Sequence, residues 1–150
     1  MTPEEQKLLV ERRKCFDGFL EELCPVLHEF AEDLQLPNPP MILVEPDDYV
    51  APIAQFMRDQ IVGEDDRIWV ITRLAYFIGE VLCKRLEGCW FLNDWPETRY
   101  FLRYVVGQFG AGTRPNVMAD PFEAASEFIA HPPGRNLGKF IDEIEAGCRV

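Results

Sequence analysis

Apolar residues recur at positions 8/9, 16, 19/20, 23, 26/27, 30 and 34. That spacing puts them on one face of a helix. Thr2-Pro3-Glu4-Glu5 reads as its start, with Thr2 as cap, Pro3 at the first helical position and Glu5 closing a capping box. Pro25 predicts a kink near Cys24, and Leu36-Pro37-Asn38-Pro39-Pro40 ends the helix in a stiff connector. Met41–Val44 is short, apolar and partly β-branched, an extended segment or an edge strand. Asp47 or Asp48 opens a second helix, with Pro52 near its first turn and Gly63 as its stop. Ile53, Phe56, Met57 and Ile61 form its apolar stripe. A third helix, capped by Asp65 or Asp66, runs to about Leu86 and is apolar on nearly every side. A helix of that kind is the buried centre of a small domain.

After Gly88 the period changes. Cys89–Leu92 and Tyr100–Val106 are aromatic and β-branched, and Asn93-Asp94-Trp95-Pro96-Glu97 between them is a turn signal. Two strands of a hairpin fit best, with a possible short third strand at Pro115–Met118. Asp120-Pro121-Phe122-Glu123 starts another helix, which stops at His131-Pro132-Pro133-Gly134. Asn136 caps the last one, whose Leu137, Phe140, Ile141 and Ile144 face inward until Gly147. The predicted fold is one α+β domain over residues 1–150. It has three N-terminal helices, a small antiparallel sheet and two C-terminal helices.

Charge sharpens this picture. Lys and Arg total 15 against 26 Asp and Glu, a net charge of -11. Residues 1–66 hold 16 acids and 5 bases, while residues 67–150 hold 10 of each. The surplus therefore belongs wholly to the N-terminal portion. Such a field repels nucleic acid and anionic lipid, and it favours a basic protein partner. A solvated helical surface accounts for the acids equally simply, and it is the plainer reading. No stretch is long and apolar enough to span a bilayer, and no apolar run of signal-peptide type follows Met1. Five cysteines, at 15, 24, 83, 89 and 148, make an odd set without C-x-x-C spacing. Reduced thiols in the cytoplasm are expected, with Cys15, Cys24 and Cys83 packed as small hydrophobes.

The residues that could carry chemistry are few. Gly110-Ala111-Gly112 lacks the Lys-Ser/Thr of a phosphate loop, and Pro115 stands where a dinucleotide fingerprint needs its third glycine. Cys24 and His28, four apart, could share a helix face, but a zinc site needs about four ligands. No metal and no cofactor are expected. A Cys-His nucleophile on one helix would lack an orienting group and an oxyanion site. Arg73, Glu80 and Arg103 could line a polar pocket between the central helix and the sheet. The plainer reading is a structural ion pair, with Glu80 buried against Arg73, Lys84 or a hairpin arginine. Trp95, at a turn beside Pro96, is hard to bury and is a candidate anchor, as is Tyr49. Asp47 and Asp48, then Glu64, Asp65 and Asp66, are the candidate acidic docking residues.

Leu74-x-Tyr76-x-x-Gly79-Glu80-Val81-Leu82, then Gly88-x-Trp90, then Asp120-Pro121-Phe122-Glu123-Ala124, resembles a pattern in small uncharacterised bacterial α+β domains, some near toxin–immunity loci. The resemblance covers roughly residues 70–130. It implies a bacterial cytosolic domain with no established catalytic residues, and it favours a protein-binding role. The expected function is thus a non-catalytic interaction protein, such as an immunity protein that covers a basic toxin. Two alternatives belong to other classes. One is an acidic secretion chaperone, typically a homodimer with an apolar groove. The other is a small-ligand-binding or enzymatic domain with a polar pocket around Glu80.

Overall fold

The computed structural model describes residues 1–150. Helix α1 spans Pro3–Asp33. Its start is the capping box predicted by the sequence. Thr2 Oγ1 accepts from the Glu5 amide at 3.1 Å, and Glu5 Oε2 accepts from the Thr2 amide at 2.9 Å. Pro25 lies inside the helix and does not end it. Leu23, Leu27, Phe30 and Ala31 are buried on either side of the proline, so packing offsets its missing donor.

Two expectations fail in the next segment. Met41–Val44 is not extended. Pro39–Leu43 forms a 3-10 helix that inserts Ile42 into the core. Tandem prolines fix φ near the helical value, and no strand lies alongside to pair with. The second helix is shorter than predicted. A 3-10 turn at Pro46–Tyr49 leads into α2, Val50–Met57, which ends well before Gly63. The cause is tertiary. The Gly134 amide donates to the Arg58 carbonyl at 2.8 Å, and the Arg135 guanidinium donates to the Gln60 carbonyl. These distant donors satisfy carbonyls that further helix would otherwise have bonded.

Helix α3, Arg67–Leu86, is the central element. Leu74–Gly79, Val81, Leu82 and Leu86 are buried, but its first turn is not. It ends with Glu87 in the left-handed region (φ 54). Strands β1 (Cys89–Leu92) and β2 (Tyr104–Gly107) pair antiparallel, with Trp90 opposite Val106 and Leu92 opposite Tyr104. The connection is longer than the sequence predicts. Residues from Tyr100 to Arg103 turn instead of extending, with Leu102 at φ 67 and its amide bonded to the Asn93 carbonyl at 2.8 Å. β3 is only Met118–Ala119, paired with Val106 and Gly107.

Asp120 caps α4, Pro121–Ala130, and Asn136 caps α5, Leu137–Cys148, each through a side-chain oxygen on the first-turn amides. α5 continues one residue past Gly147 and buries Cys148. The architecture is α+β, with order β1-β2-β3 in one small sheet. One cluster of 24 buried residues draws on all five α-helices and the sheet. No helix is long and apolar enough to cross a membrane.

Tyr76, Gly79, Trp90 and Phe122 meet in this core. The Phe122 ring lies 6.0 Å from Tyr76 and 6.4 Å from Trp90, both edge-on. Phe19 of α1 closes the cluster at 5.1 Å from Trp90 and 4.8 Å from Tyr104. A Cβ on Gly79 would stand 2.0 Å from Trp90 Cζ2, so only glycine lets the indole lie on α3.

Candidate functional site

The predicted polar pocket does not assemble. Arg73 lies over the Trp69 ring at 4.1 Å and donates to the Trp69 carbonyl. Arg103 pairs with Asp120 at 2.9 Å and Glu123 at 2.8 Å, holding the β1–β2 connection to the start of α4. Glu80 borders a separate small cavity with Val44, Cys83 and Lys84. Contrary to expectation it forms no ion pair with Arg73, Lys84 or Arg103. Burial alone pushes its carboxyl above the usual range. The same apolar surroundings push the Cys83 thiol up as well, which leaves it inert at neutral pH.

Two cysteine expectations are corrected: Cys15 and Cys24 are exposed, and the buried cysteine is Cys148. α1 shows these two positions to solvent because its core-facing positions are Leu23, Leu27 and Phe30. His28 pairs with Glu32 at 3.0 Å, and no cluster of three or more ligand-type side chains could hold a metal.

Tyr49 is corrected too. It is only 5% exposed, and its hydroxyl is within 2.7 Å of the Pro37 carbonyl and 2.5 Å of the Asn38 carbonyl. It is a core residue that pins the proline connector, so it cannot anchor a partner. Asp47 is partly spent on Arg85 at 2.7 Å, in a network with Asp142 and Glu145 that ties α3 to α5. Asp48 is exposed. Trp95 is 44% exposed. It stands at a groove of about 700 Å3 between the β1–β2 connection and the loop before β3, together with Phe91, Phe109, Arg114 and Met118.

Glu64, Asp65 and Asp66 form a single 3-10 turn before α3. Capping does not consume them, because Asp66 at the cap position makes no side-chain bond to the helix amides. All three are exposed, and none is ion-paired. Of the nearby cations, Arg67 donates to Ser126 at 3.0 Å, Arg73 covers Trp69, and Arg58 borders a different cavity beside Arg135.

Beside these acids lies a feature the sequence reading missed. Ile61 is 86% exposed and Ile68 81%, with Phe56 and Trp69 also well exposed. Phe56, Met57, Ile61, Val62, Trp69 and Val70 line a groove of about 420 Å3 whose rim includes Asp65 and Asp66. Single exposed hydrophobes are ordinary, but a contiguous patch with a polar rim marks an interaction surface. No local signal marks it, because Ile61 follows Met57 at helical spacing and the polar Arg58-Asp59-Gln60 between them is what the other faces of an amphipathic helix would carry.

The chain matches no known protein family, and neither a curated protein nor a solved structure shows significant similarity to it.

Proposed function

We propose that this protein is a non-catalytic interaction protein of the bacterial cytoplasm, of the immunity type, that takes a basic protein partner. The observation that carries the reading is the α2–α3 surface, where exposed Ile61, Ile68, Phe56 and Trp69 adjoin three unpaired carboxylates. Apolar anchors supply affinity, and the acids speed encounter with a cation and reject anionic partners. The chaperone alternative needs a groove for an extended chain, and about 420 Å3 seats only a few side chains. Trp95 and its larger groove favour the second reading, a small ligand held on the outer face of the sheet.

Affinity capture from a native cell tests the main reading, with wild type and Ile61→Asp/Ile68→Asp compared by mass spectrometry. A basic protein retained by wild type and lost by the variant supports it. Capture that ignores the substitutions, or that yields only acidic proteins, sinks it. A thermal-shift screen in which Trp95→Ala abolishes a ligand's stabilisation would favour the second reading instead.

A further inference from the structure

The acidic surface is interrupted where the end of α2 meets the start of α5. A cavity of about 400 Å3 opens there, lined by Ala54, Gln55, Arg58, Gly134, Arg135 and Asn136. Two guanidiniums border it and no carboxylate does, on a chain whose net charge is -11. We infer that this cavity is an oxyanion site that takes a phosphate group, free or carried by a small organic ligand. Arg135 is only 8% exposed. It donates to the His131 carbonyl at 2.8 Å and to the Gln60 carbonyl, while its Nε is buried with no acceptor. Carbonyls satisfy donors without neutralising the charge. The C-terminal end of α4, at His131, offers only about half a unit of negative charge. Asp59 acts on the guanidinium but forms no ion pair with it, and burial lowers the Arg135 pKa in spite of it. A buried cation with no counter-ion in its own chain, and with one donor idle, is suited to an anion from outside.

Arg58 supplies the second cation. Its side chain is exposed and makes no hydrogen bond or ion pair. The bonds that hold the end of α2 also fix it beside Arg135, since the Gly134 amide donates to the Arg58 carbonyl at 2.8 Å. Two arginines from distant parts of the chain thus reach one cavity. Asn136 in the lining caps α5, whose N-terminal end adds partial positive charge. A smaller cavity that shares Arg135 and Asn136 brings His131 and Lys139, against the single acid Glu143. Two guanidiniums and a helix start match a dianion better than a lone carboxylate, and the arginine fork fits phosphate oxygens. The net negative charge of the chain weakens any anion, but salt screens it beyond roughly 8–10 Å. The cavity shares no lining residue with the α2–α3 groove, so the inference stands apart from the interaction reading.

The test is an NMR titration of the full chain at constant ionic strength, following the Gly134 and Asn136 amides. The probes are inorganic phosphate, phenyl phosphate and chloride. Wild type should saturate with phosphate at a Kd of about 1–10 mM and show no saturable shift with chloride. Arg58→Gln removes an exposed side chain that bonds to nothing, so the chain should fold as wild type. It should weaken phosphate about tenfold, the worth of one charge-assisted bond. Asp59→Asn removes the opposing acid and should tighten binding. Lys7→Gln, near the start of α1, deletes the same charge elsewhere and should leave the Kd unchanged. Tighter binding of phenyl phosphate than of inorganic phosphate assigns the site to a phosphate ester. Equal or weaker binding assigns it to the free ion, and either result supports an oxyanion site. Chloride that shifts the same amides with equal affinity overturns the inference, as does failure of both phosphates to saturate. So does an unchanged Kd in Arg58→Gln, or a loss in Lys7→Gln equal to that in Arg58→Gln, which would reduce the effect to overall charge.

Discussion

Glu80 illustrates how a single side chain can resist its apparent role. On an apolar helix it looked like half of a buried ion pair, yet it ends half-buried with no cation bonded to it. Its carboxyl is raised in the folded state, so the folded chain holds that proton more tightly than the unfolded one. Stability from this group is therefore fully present below the ordinary carboxylate range. It is lost as pH rises through the raised folded value. Glu80→Gln removes the ionisation, so it should raise the denaturation midpoint at neutral pH. The advantage should vanish as pH falls below the ordinary glutamate range. A lowered neutral midpoint would instead reveal a cation that Glu80 serves. Gly79, next along the chain, is constrained differently. Gly79→Ala would drive a methyl into the Trp90 ring, 2.0 Å from Cζ2, and the ring is hemmed by Phe19 and Phe122. The cost should be about 1–3 kcal/mol, the usual range for overpacking. Urea denaturation should show it, and Trp90→Leu in the same chain should recover part of it by freeing the space.

At the scale of elements, α4 is where several threads are tied. Asp120 Oδ1 accepts from the Phe122 and Glu123 amides, at 2.9 and 3.3 Å. Its Oδ2 accepts from Arg103 at 2.9 Å. One carboxylate thus caps a helix and fastens the β1–β2 connection. Asp120→Ala should cost about 1–2 kcal/mol for the cap alone. Asp120→Asn should retain most of the cap and lose only the partly exposed pair to Arg103, which is worth little by itself. Equal losses in the two variants, measured by thermal unfolding, would mean that the ion pair dominates. The start of α4 and its cap were legible in Asp120-Pro121-Phe122-Glu123, because capping is a matter of residues three apart. The end of α2 was not. The carbonyls of Arg58 and Gln60, just past Met57, are taken by Gly134 and Arg135, more than seventy residues away, and no local signal announces that.

For the whole molecule, the decisive quantity is apolar surface left outside the core. Exposed Ile61 and Ile68 contribute little to folding, so Ile61→Ser/Ile68→Ser should alter stability by no more than about 0.5 kcal/mol per site. Ile53→Ser, at a fully buried position, should destabilise severely through a cavity and a stranded hydroxyl. Denaturation curves for these variants separate the two classes directly. If Ile61→Ser/Ile68→Ser unfolds as readily as Ile53→Ser, the patch belongs to the core and the docking surface disappears. Periodicity and caps in the chain alone determined the five helices, the hairpin, the α+β class and the place of the acidic surplus. Those features depend on residues a turn or a strand apart, or on a simple count. Only the tertiary structure decided which apolar positions remain uncovered, which acids stay unpaired and that Tyr49 points inward. Burial and pairing depend on what packs against a residue from elsewhere in the chain. The stripe of Ile53, Phe56, Met57 and Ile61 therefore read as core throughout, although folding hides Ile53 and Met57 and leaves Phe56 and Ile61 in water.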